Sequence, residues 1–446
     1  MNGLNAQKES TNIHQNFFVR AKHKATRFLH ILGPGLVTGA ADDDPSGIAT
    51  YSQAGANYGT GLLWAFPVMF PLLLAVQETC SRIGAVTGKG LAANLKAHYS
   101  KTTLLICVSL VVLANTVNIG SDLGAMAAAT ELLLPIPFVI LAIGFAVGII
   151  ALEILIPYKV YAHVLKWLAI ALFAYPVTAF VVGQDWSSIF AATFTLSPKI
   201  TFDSAYILVG MIGTTVSPYL FFWDTSQVVE EEISKGRLTT KRPPTITKQF
   251  LRSLRIDNFV GMTLASVTAW FIVIVCASVL FANGVTEIDT AADAARALEP
   301  LVQNFPNAGL ISKIIFSSGI VGLGLLAIPT LAGSASYAIS ETMDWKEGLH
   351  RKFGKAIKFY SVIIIATLIG LGMNFLGIDP IKALVFTAVF NGVAAIPLLF
   401  MILRVGNNAD ILGEHKNGIF SNLGVLLALI IVTIAALFLF YAEIFS

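Results

Sequence analysis

The stretch GAADDDPSGIATYSQAG, residues 39–55, sets three adjacent carboxylates, Asp42, Asp43 and Asp44, directly before Pro45 in a segment otherwise apolar enough to cross a bilayer. On insertion scales each charged carboxylate costs about 2.5 to 3.5 kcal/mol at the centre of a spanning helix, too much in total to be incidental. Pro45 removes a backbone donor, and Gly39, Ser46 and Gly47 weaken the helix on either side of it. The segment therefore reads as a discontinuous span whose freed backbone groups face protein or a watery cavity rather than lipid.

The rest of the chain supports a membrane setting. Of 446 residues, 56% are hydrophobic and 12% charged, which is more apolar surface than a soluble fold of that length can hide. Apolar windows of about 20 residues, enough for a hydrocarbon core of about 30 Å, centre near residues 44, 73, 113, 146, 172, 216, 270, 325, 367, 392 and 433. Barrel strands would be half as long, so the expected class is an all-α membrane protein with eleven transmembrane helices.

Lys and Arg in the connections set the expected orientation in the cell membrane. The polar arm, residues 1–28, carries Lys8, Arg20, Lys22, Lys24 and Arg27, and basic clusters follow the second, sixth and eighth segments. The connection after the seventh, NGVTEIDTAADAARALEP, residues 283–300, is acidic with only Arg296 basic. The alternation predicts a cytoplasmic N-terminal tail and an outside C-terminus. No cleavable signal is expected, because the arm leads straight into a long span.

The net charge of +3 is accounted for by basic loops facing anionic lipid, so no nucleic-acid partner is expected. Cys80, Cys107 and Cys276 are odd in number, lie in or beside apolar segments and have no metal-ligand spacing; they read as packing residues. The seven histidines all avoid the middle of a predicted span, which excludes a histidine-rich transition-metal site. There is no phosphate-binding Gly-rich loop and no His-Glu-x-x-His pair, so no enzyme or primary pump is expected, and no resident cofactor.

GMIGTTVSPYLFFWDTSQVVEEE, residues 210–232, repeats the theme of the first segment: Gly210, Gly213, Ser217 and Pro218 interrupt an apolar run and Asp224 follows. Breaks in the first and sixth segments occupy corresponding places in two five-helix halves, residues 29–185 and 200–405, with an eleventh helix at 420–446. Five is odd, so the halves enter the membrane in opposite directions, as in carriers built from inverted repeats around a midplane site.

GPGLVTGAADDDPSGIATYSQAG (33–55), VQETCSRIGAVTGKG (76–90) and GMIGTTVSPYLFF (210–222) resemble the Nramp divalent-metal transporters. The resemblance implies a LeuT-type inverted 5+5 repeat with helices 1 and 6 broken. In that family a first-helix Asp-Pro-Gly-Asn motif gives an Asp and an Asn to the metal, and a sixth-helix Met-Pro-His motif gives a Met and a nearby carbonyl. Carried over, Asp44 takes the ligand Asp, Gly47 replaces the Asn, Ser217 replaces the Met, Thr214 takes the carbonyl position and Tyr219 replaces the His. Asp224 stands where the family has a second histidine, and Asp122 aligns with its third-helix acid. Losing the thioether for hydroxyl and carbonyl oxygens implies a harder ion, such as magnesium, calcium or manganese.

Each position also has a plain structural reading. Asp44 can cap the next half-helix. Successive helix positions turn about 100°, so Asp42, Asp43 and Asp44 cannot all face one cavity, and Asp43 is the neighbour expected to share the site with Ser46. Ser217 and Thr214 can bond to preceding carbonyls at the kink. Asp122 and Asp224 serve either as a proton pathway or as buried hydrogen-bonding groups, and Asn391 either lines the cavity or bonds between helices. Glu78 and Arg82 read as an interfacial pair, Glu230 to Glu232 as a solvated helix end, and AGSASYAIS (332–340) as close helix packing.

The expected function is a secondary transporter of a small cation, with protons as possible partners and the lipid bilayer as its setting. The open alternatives are a LeuT-type carrier of an amine or amino acid, for which Gly47 and Ser217 leave room, and a non-transporting sensor or channel.

Overall fold

Helices form where the apolar segments predict them, and stop where proline, glycine or a capping side chain intervenes. The computed structural model describes residues 38–39, 41–156, 173–196, 201–239, 244 and 246–445. The expected tail, residues 1–28, and the centre of the fifth segment, near 172, lie outside them. Among the described residues the long elements are α1 (Pro45–Tyr58), α2 (Ala65–Thr87), α3 (Lys101–Glu131) and α4 (Phe138–Leu155), then α5 (Ala174–Val182). After these come α6 (Phe202–Thr215), α7 (Pro218–Ser234), α8 (Lys248–Val279), α9 (Ala308–Thr342), α10 (Ile357–Met373), α11 (Pro380–Asn407) and α12 (Ile419–Phe445).

Seven described helical stretches are long and apolar enough to cross a membrane, α6 and α7 counting as one stretch. The helix α10, at 17 residues, is apolar but shorter. Burial separates inner from outer helices. Val139, Ile140, Ile143 and Val147 of α4, and Leu423, Ile430, Ile434 and Leu437 of α12, are exposed apolar side chains, as lipid-facing helices require. The α6–α7 stretch is almost wholly buried, which puts the second break at the centre of the bundle.

Small residues let the inner helices touch backbone to backbone. A Cβ on Gly213 of α6 would lie 2.1 Å from the Ala388 carbonyl oxygen and 2.4 Å from the Gly392 nitrogen of α11, so only glycine fits. Polar side chains add interhelical bonds: Asn115 donates to the Leu331 carbonyl (2.9 Å), Ser334 to that of Tyr219 (2.9 Å) and Ser336 to that of Phe359 (2.6 Å). The last two belong to the 332–340 stretch, which packs tightly, as its small residues suggest. The three cysteines are buried and free.

At the Lys/Arg-rich end of the bundle the structure corrects one expectation. Glu230 to Glu232 are not a solvated helix end. Glu230 is buried, accepting from Tyr337 Oη (2.7 Å) and pairing with His350 Nδ1 (2.6 Å), and Glu232 is buried too; only Glu231 pairs outward, with Lys235. The cause is tertiary: α9 and the connection after it fold over the end of α7, and Leu349 N donates to Tyr337 Oη at 3.2 Å. Glu78 and Arg82 form the expected i,i+4 pair (2.5 Å), which Arg255 joins at 2.7 Å.

Candidate functional site

Both breaks begin with a residue in extended backbone followed by proline at the first turn of the next helix. Asp44 (φ −72°, ψ 170°) is the N-cap of α1 and precedes Pro45; Ser217 (φ −78°, ψ 133°) is the N-cap of α7 and precedes Pro218. Proline suits that position because its missing N–H would have no helical partner there. Residues 41 and 42 are helical and the chain unwinds at 43 and 44; α6 ends at Thr215, leaving Val216 and Ser217 as the second unwound step.

The freed backbone groups find partners inside the protein, which is what makes a break tolerable at membrane depth. Ser217 Oγ donates to the carbonyls of Gly213 (3.0 Å) and Thr214 (2.6 Å). Tyr219 Oη, at the foot of α7, donates across to the Ala41 carbonyl at 2.8 Å and ties the two breaks together. The Thr214 carbonyl accepts one bond from Ser217, and the Tyr219 hydroxyl is a tie between unwound segments.

Asp44 is the centre of the arrangement. It is 1% exposed; its Oδ1 accepts from Ser46 Oγ (2.6 Å) and Gly47 N (2.8 Å), and its Oδ2 from Asn118 Nδ2 of α3 (2.8 Å). A carboxylate offers about four lone-pair sites, so one site on Oδ2 is left over. Two oxygens of neighbouring residues are buried without a hydrogen-bond partner: Asn118 Oδ1, on the amide that donates to Oδ2, and Thr214 Oγ1. A Cβ on Gly47 would sit 3.0 Å from Thr214 Oγ1, 3.4 Å from the Tyr51 ring and 3.6 Å from Asp44 Oδ1, so a side chain there would crowd these groups. The Thr214 hydroxyl thus lies beside the first break.

The structure therefore brings Asp44, Ser46, Gly47, Thr214 and Ser217 to one place, with Tyr219 bracing it. Asn118 is the residue that reading the sequence missed. The available signal was an amide one helical turn before Asp122 in an apolar segment. Asp122 itself is fully buried on α3 with neither oxygen hydrogen-bonded, and Asn391 of α11 is buried with Nδ2 unbonded, beside the Gly392 that packs on Gly213. Asp43 is buried next to the site. Asp224 belongs to a separate polar group: it accepts from Ser81 Oγ and from Thr38 Oγ1 (3.5 Å), and Asn258 Nδ2 donates to Ser81 Oγ at 2.7 Å.

Chemically this is a buried anion ringed by neutral oxygens. Among the described residues no three His, Cys, Asp or Glu side chains converge as a metal-ligand cluster. One carboxylate with hydroxyl and amide oxygens is a hard donor set suited to an ion that passes through.

Comparison with known proteins bears on the family and the fold. The chain is 27% identical over 386 residues to the divalent metal cation transporter MntH of Caldanaerobacter subterraneus, covering 84% of this chain and 85% of the relative. Its structure is similar to that of the Eremococcus coleocola manganese transporter in complex with an aromatic bis-isothiourea substituted compound, with a TM-score of 0.71 at 19% identity over 92% of this chain and 85% of that one. It is also similar to MhsT in complex with L-phenylalanine, with a TM-score of 0.56 at 12% identity over 92% and 98% of the two chains. These likenesses give a LeuT-type helical fold. The family described as natural resistance-associated macrophage protein-like matches residues 35–442, nearly the whole length, and the chain belongs to the Nramp family.

Proposed function

We propose that the protein is a secondary transporter that carries a hard divalent cation, magnesium, calcium or manganese, through the break between α1 and the α6–α7 pair. The observation that carries this reading is the buried Asp44 carboxylate at the first break, accompanied by two buried oxygens without a hydrogen-bond partner, Asn118 Oδ1 and Thr214 Oγ1. The absence of a thioether at Ser217 favours oxygen-seeking ions over softer ones. Eleven spans in two inverted five-helix halves, residues 29–185 and 200–405, with a cytoplasmic N-terminus and an outside C-terminus, complete the proposed architecture. The task is carriage, without a catalytic step.

Proton coupling is the second part of the proposal. Asp122, one turn beyond Asn118, and Asp224, on α7, are the carboxylates that would carry the proton. Asp122 is favoured because nothing in the described structure bonds to it.

The test is uptake by the protein in liposomes, screened over magnesium, calcium, manganese and small amines, with a pH dye inside. Divalent uptake that Asp44→Ala abolishes is expected. Asp44→Asn, which retains a capping oxygen, separates charge from cap: it should fold like the wild type and still fail to transport. Uptake of amines in place of divalent ions would assign the site to an organic solute, and divalent flux with a silent dye would remove Asp122 and Asp224 from a coupling role.

A further inference from the structure

The Lys/Arg-rich end of the bundle holds a groove that the carriage of an ion past Asp44 does not use. It lies between the last turn of α7 and the first turns of α8, has a volume of about 590 Å³, and sets Lys235, Arg237 and Arg252 beside Phe250, Leu254 and Ile256. A space of that size accommodates a small organic ligand or a headgroup.

The floor of the groove is fixed. Phe250 and Leu254 are buried and pack with Ala85 of α2 and Val228 of α7 in a small apolar cluster separate from the main core. Thr247 caps the start of α8, its hydroxyl accepting from Phe250 N at 3.1 Å. The Arg237 guanidinium rests over the Phe250 ring, with Cζ 4.6 Å from the centroid, a contact that uses none of its five N–H donors.

The positive charge is not balanced from within. Of the two acids that line the groove, Glu231 is paired with Lys235, and Asp257 is buried within electrostatic reach of Asp224. Glu232 feels the charge of Arg237, but its two oxygens are buried and hold no hydrogen bond to it. Among the described residues neither the Arg237 nor the Arg252 guanidinium has an ion pair or a hydrogen-bonded acceptor.

Depth along α8 puts the groove at headgroup level. All the charged residues of this helix, Lys248, Arg252, Arg255 and Asp257, stand in its first turns, and residues 259–279 carry none. At 1.5 Å each that uncharged stretch is about 31 Å long, the thickness of a hydrocarbon core, so the groove falls in the interfacial layer beyond it. Arg252, Ile256, Phe259, Thr263 and Val267 succeed one another at steps of three or four and share one helix face. On that face Arg252, Phe259 and Val267 are exposed, so an outward apolar stripe runs from the basic groove toward the middle of the membrane.

We propose that this groove binds the headgroup of an anionic glycerophospholipid, its phosphate held by Arg237 and Arg252 with Lys235 beside them and its acyl chains lying along Phe259 and Val267. Arginine suits the task because its planar fork meets phosphate oxygens two at a time. A zwitterionic headgroup brings a cation that the groove does not welcome, since its own acids are paired or buried. A soluble phosphate would leave the apolar stripe unused, which favours the lipid as occupant. The bound lipid would bridge the end of α7 and the start of α8. It requires only that this end of the bundle meets a membrane surface, on whichever side that lies, and it is independent of the ion carried.

The test uses the full chain purified in a neutral maltoside detergent, with thermal unfolding followed as phosphatidylglycerol, phosphatidylcholine, glycerol phosphate or inorganic phosphate is added at constant ionic strength. A ligand that binds only the folded protein raises its Tm. Phosphatidylglycerol is expected to raise it saturably and the other three not to. Arg237→Gln with Arg252→Gln should weaken the apparent affinity for phosphatidylglycerol about tenfold or more. Lys352→Gln with Lys355→Gln, which removes the same charge from exposed positions in the connection after α9, should leave that affinity unchanged.

Equal responses to phosphatidylcholine and phosphatidylglycerol overturn the proposal, as does an equal loss of affinity in the two double variants, which would mean diffuse attraction to the whole basic end. A rise with glycerol phosphate or inorganic phosphate as large as that with phosphatidylglycerol overturns the lipid as occupant. If the variant lacking Arg237 does not fold, the exposed Arg252→Glu decides: an unaltered affinity for phosphatidylglycerol overturns the site.

Discussion

Asn118 Nδ2 donates to Asp44 Oδ2 across 2.8 Å, joining the middle of α3 to the break in the first span. The bond fixes which carboxylate oxygen faces α3 and leaves the amide oxygen of Asn118 unbonded beside it. A hydrogen bond to a charged partner contributes about 1.5 to 3 kcal/mol, part of which orients the carboxylate for its ion. Asn118→Ala is therefore expected to raise the KM for divalent uptake about tenfold or more, with expression and elution profile unchanged. Liposome uptake over a concentration series measures this, and an unchanged KM would remove Asn118 from the site.

The bare Gly47 and the short Ser217 set the room and the hardness of the site. In Gly47→Asn the new side chain must push aside Thr214 Oγ1, which stands 3.0 Å from where its Cβ would be. Ser217→Met removes the hydroxyl that occupies the Thr214 carbonyl. The double variant gains an amide and a thioether, so its preference should move from magnesium toward manganese and cadmium. Competition between these ions in one uptake assay reads the shift. An unchanged order in a folded double variant would mean that these residues do not face the ion.

Gly213→Ala tests the contact that holds α6 against α11. Its Cβ would lie 2.1 Å from the Ala388 carbonyl oxygen, with backbone on both sides and no flexible side chain to give way. The helices must part, at a cost of about 3 kcal/mol or more, seen as a large fall in Tm or loss of folded protein. Gly144→Ala is the control: nothing lies within 4 Å of that Cβ, so Tm should hold or rise slightly. Equal behaviour of the two variants would contradict the close approach.

Glu347, in the connection after α9, supplies a pH dependence. Burial pushes its carboxyl above the ordinary 4.5, Glu341, Glu230 and Asp344 push the same way, and Arg351 opposes them. The folded protein then holds a proton that the unfolded chain has released. Its stabilising contribution is complete below the unfolded value and is lost as pH rises toward the folded one. Between about pH 5 and pH 8 the Tm should fall, and Glu347→Gln should flatten that slope. Parallel slopes in variant and wild type would exclude Glu347 as the source.

The sequence disclosed the breaks because their chemistry is local. Carboxylate, proline and glycine within a few residues of one another disrupt a spanning helix whatever surrounds it, and Asp44 and Ser217 stand where that reasoning put them. What the sequence withheld depends on neighbours far along the chain. Glu230 looked solvated until α9 and the following connection covered it with Tyr337 and His350. Thr214 offered two oxygens, and only the folded chain shows that its carbonyl accepts from Ser217 Oγ while its hydroxyl has no partner. Asn118 could not be matched with Asp44 from spacing, since 74 residues separate them. Asp42 was set aside because three successive carboxylates cannot face one cavity.

The bonding of Glu230 has a mechanical consequence for the sixth span. Its two oxygens moor the far end of α7 to Tyr337 on α9 and to His350 beyond it, while the near end is lashed to the first span by Tyr219. A swing of α7 about Ser217 must either cast off the Glu230 mooring or carry α9 along as one rigid spar. The two limbs of the break are thus tethered differently, α6 by backbone contact with α11 and α7 by hydrogen bonds at both of its ends.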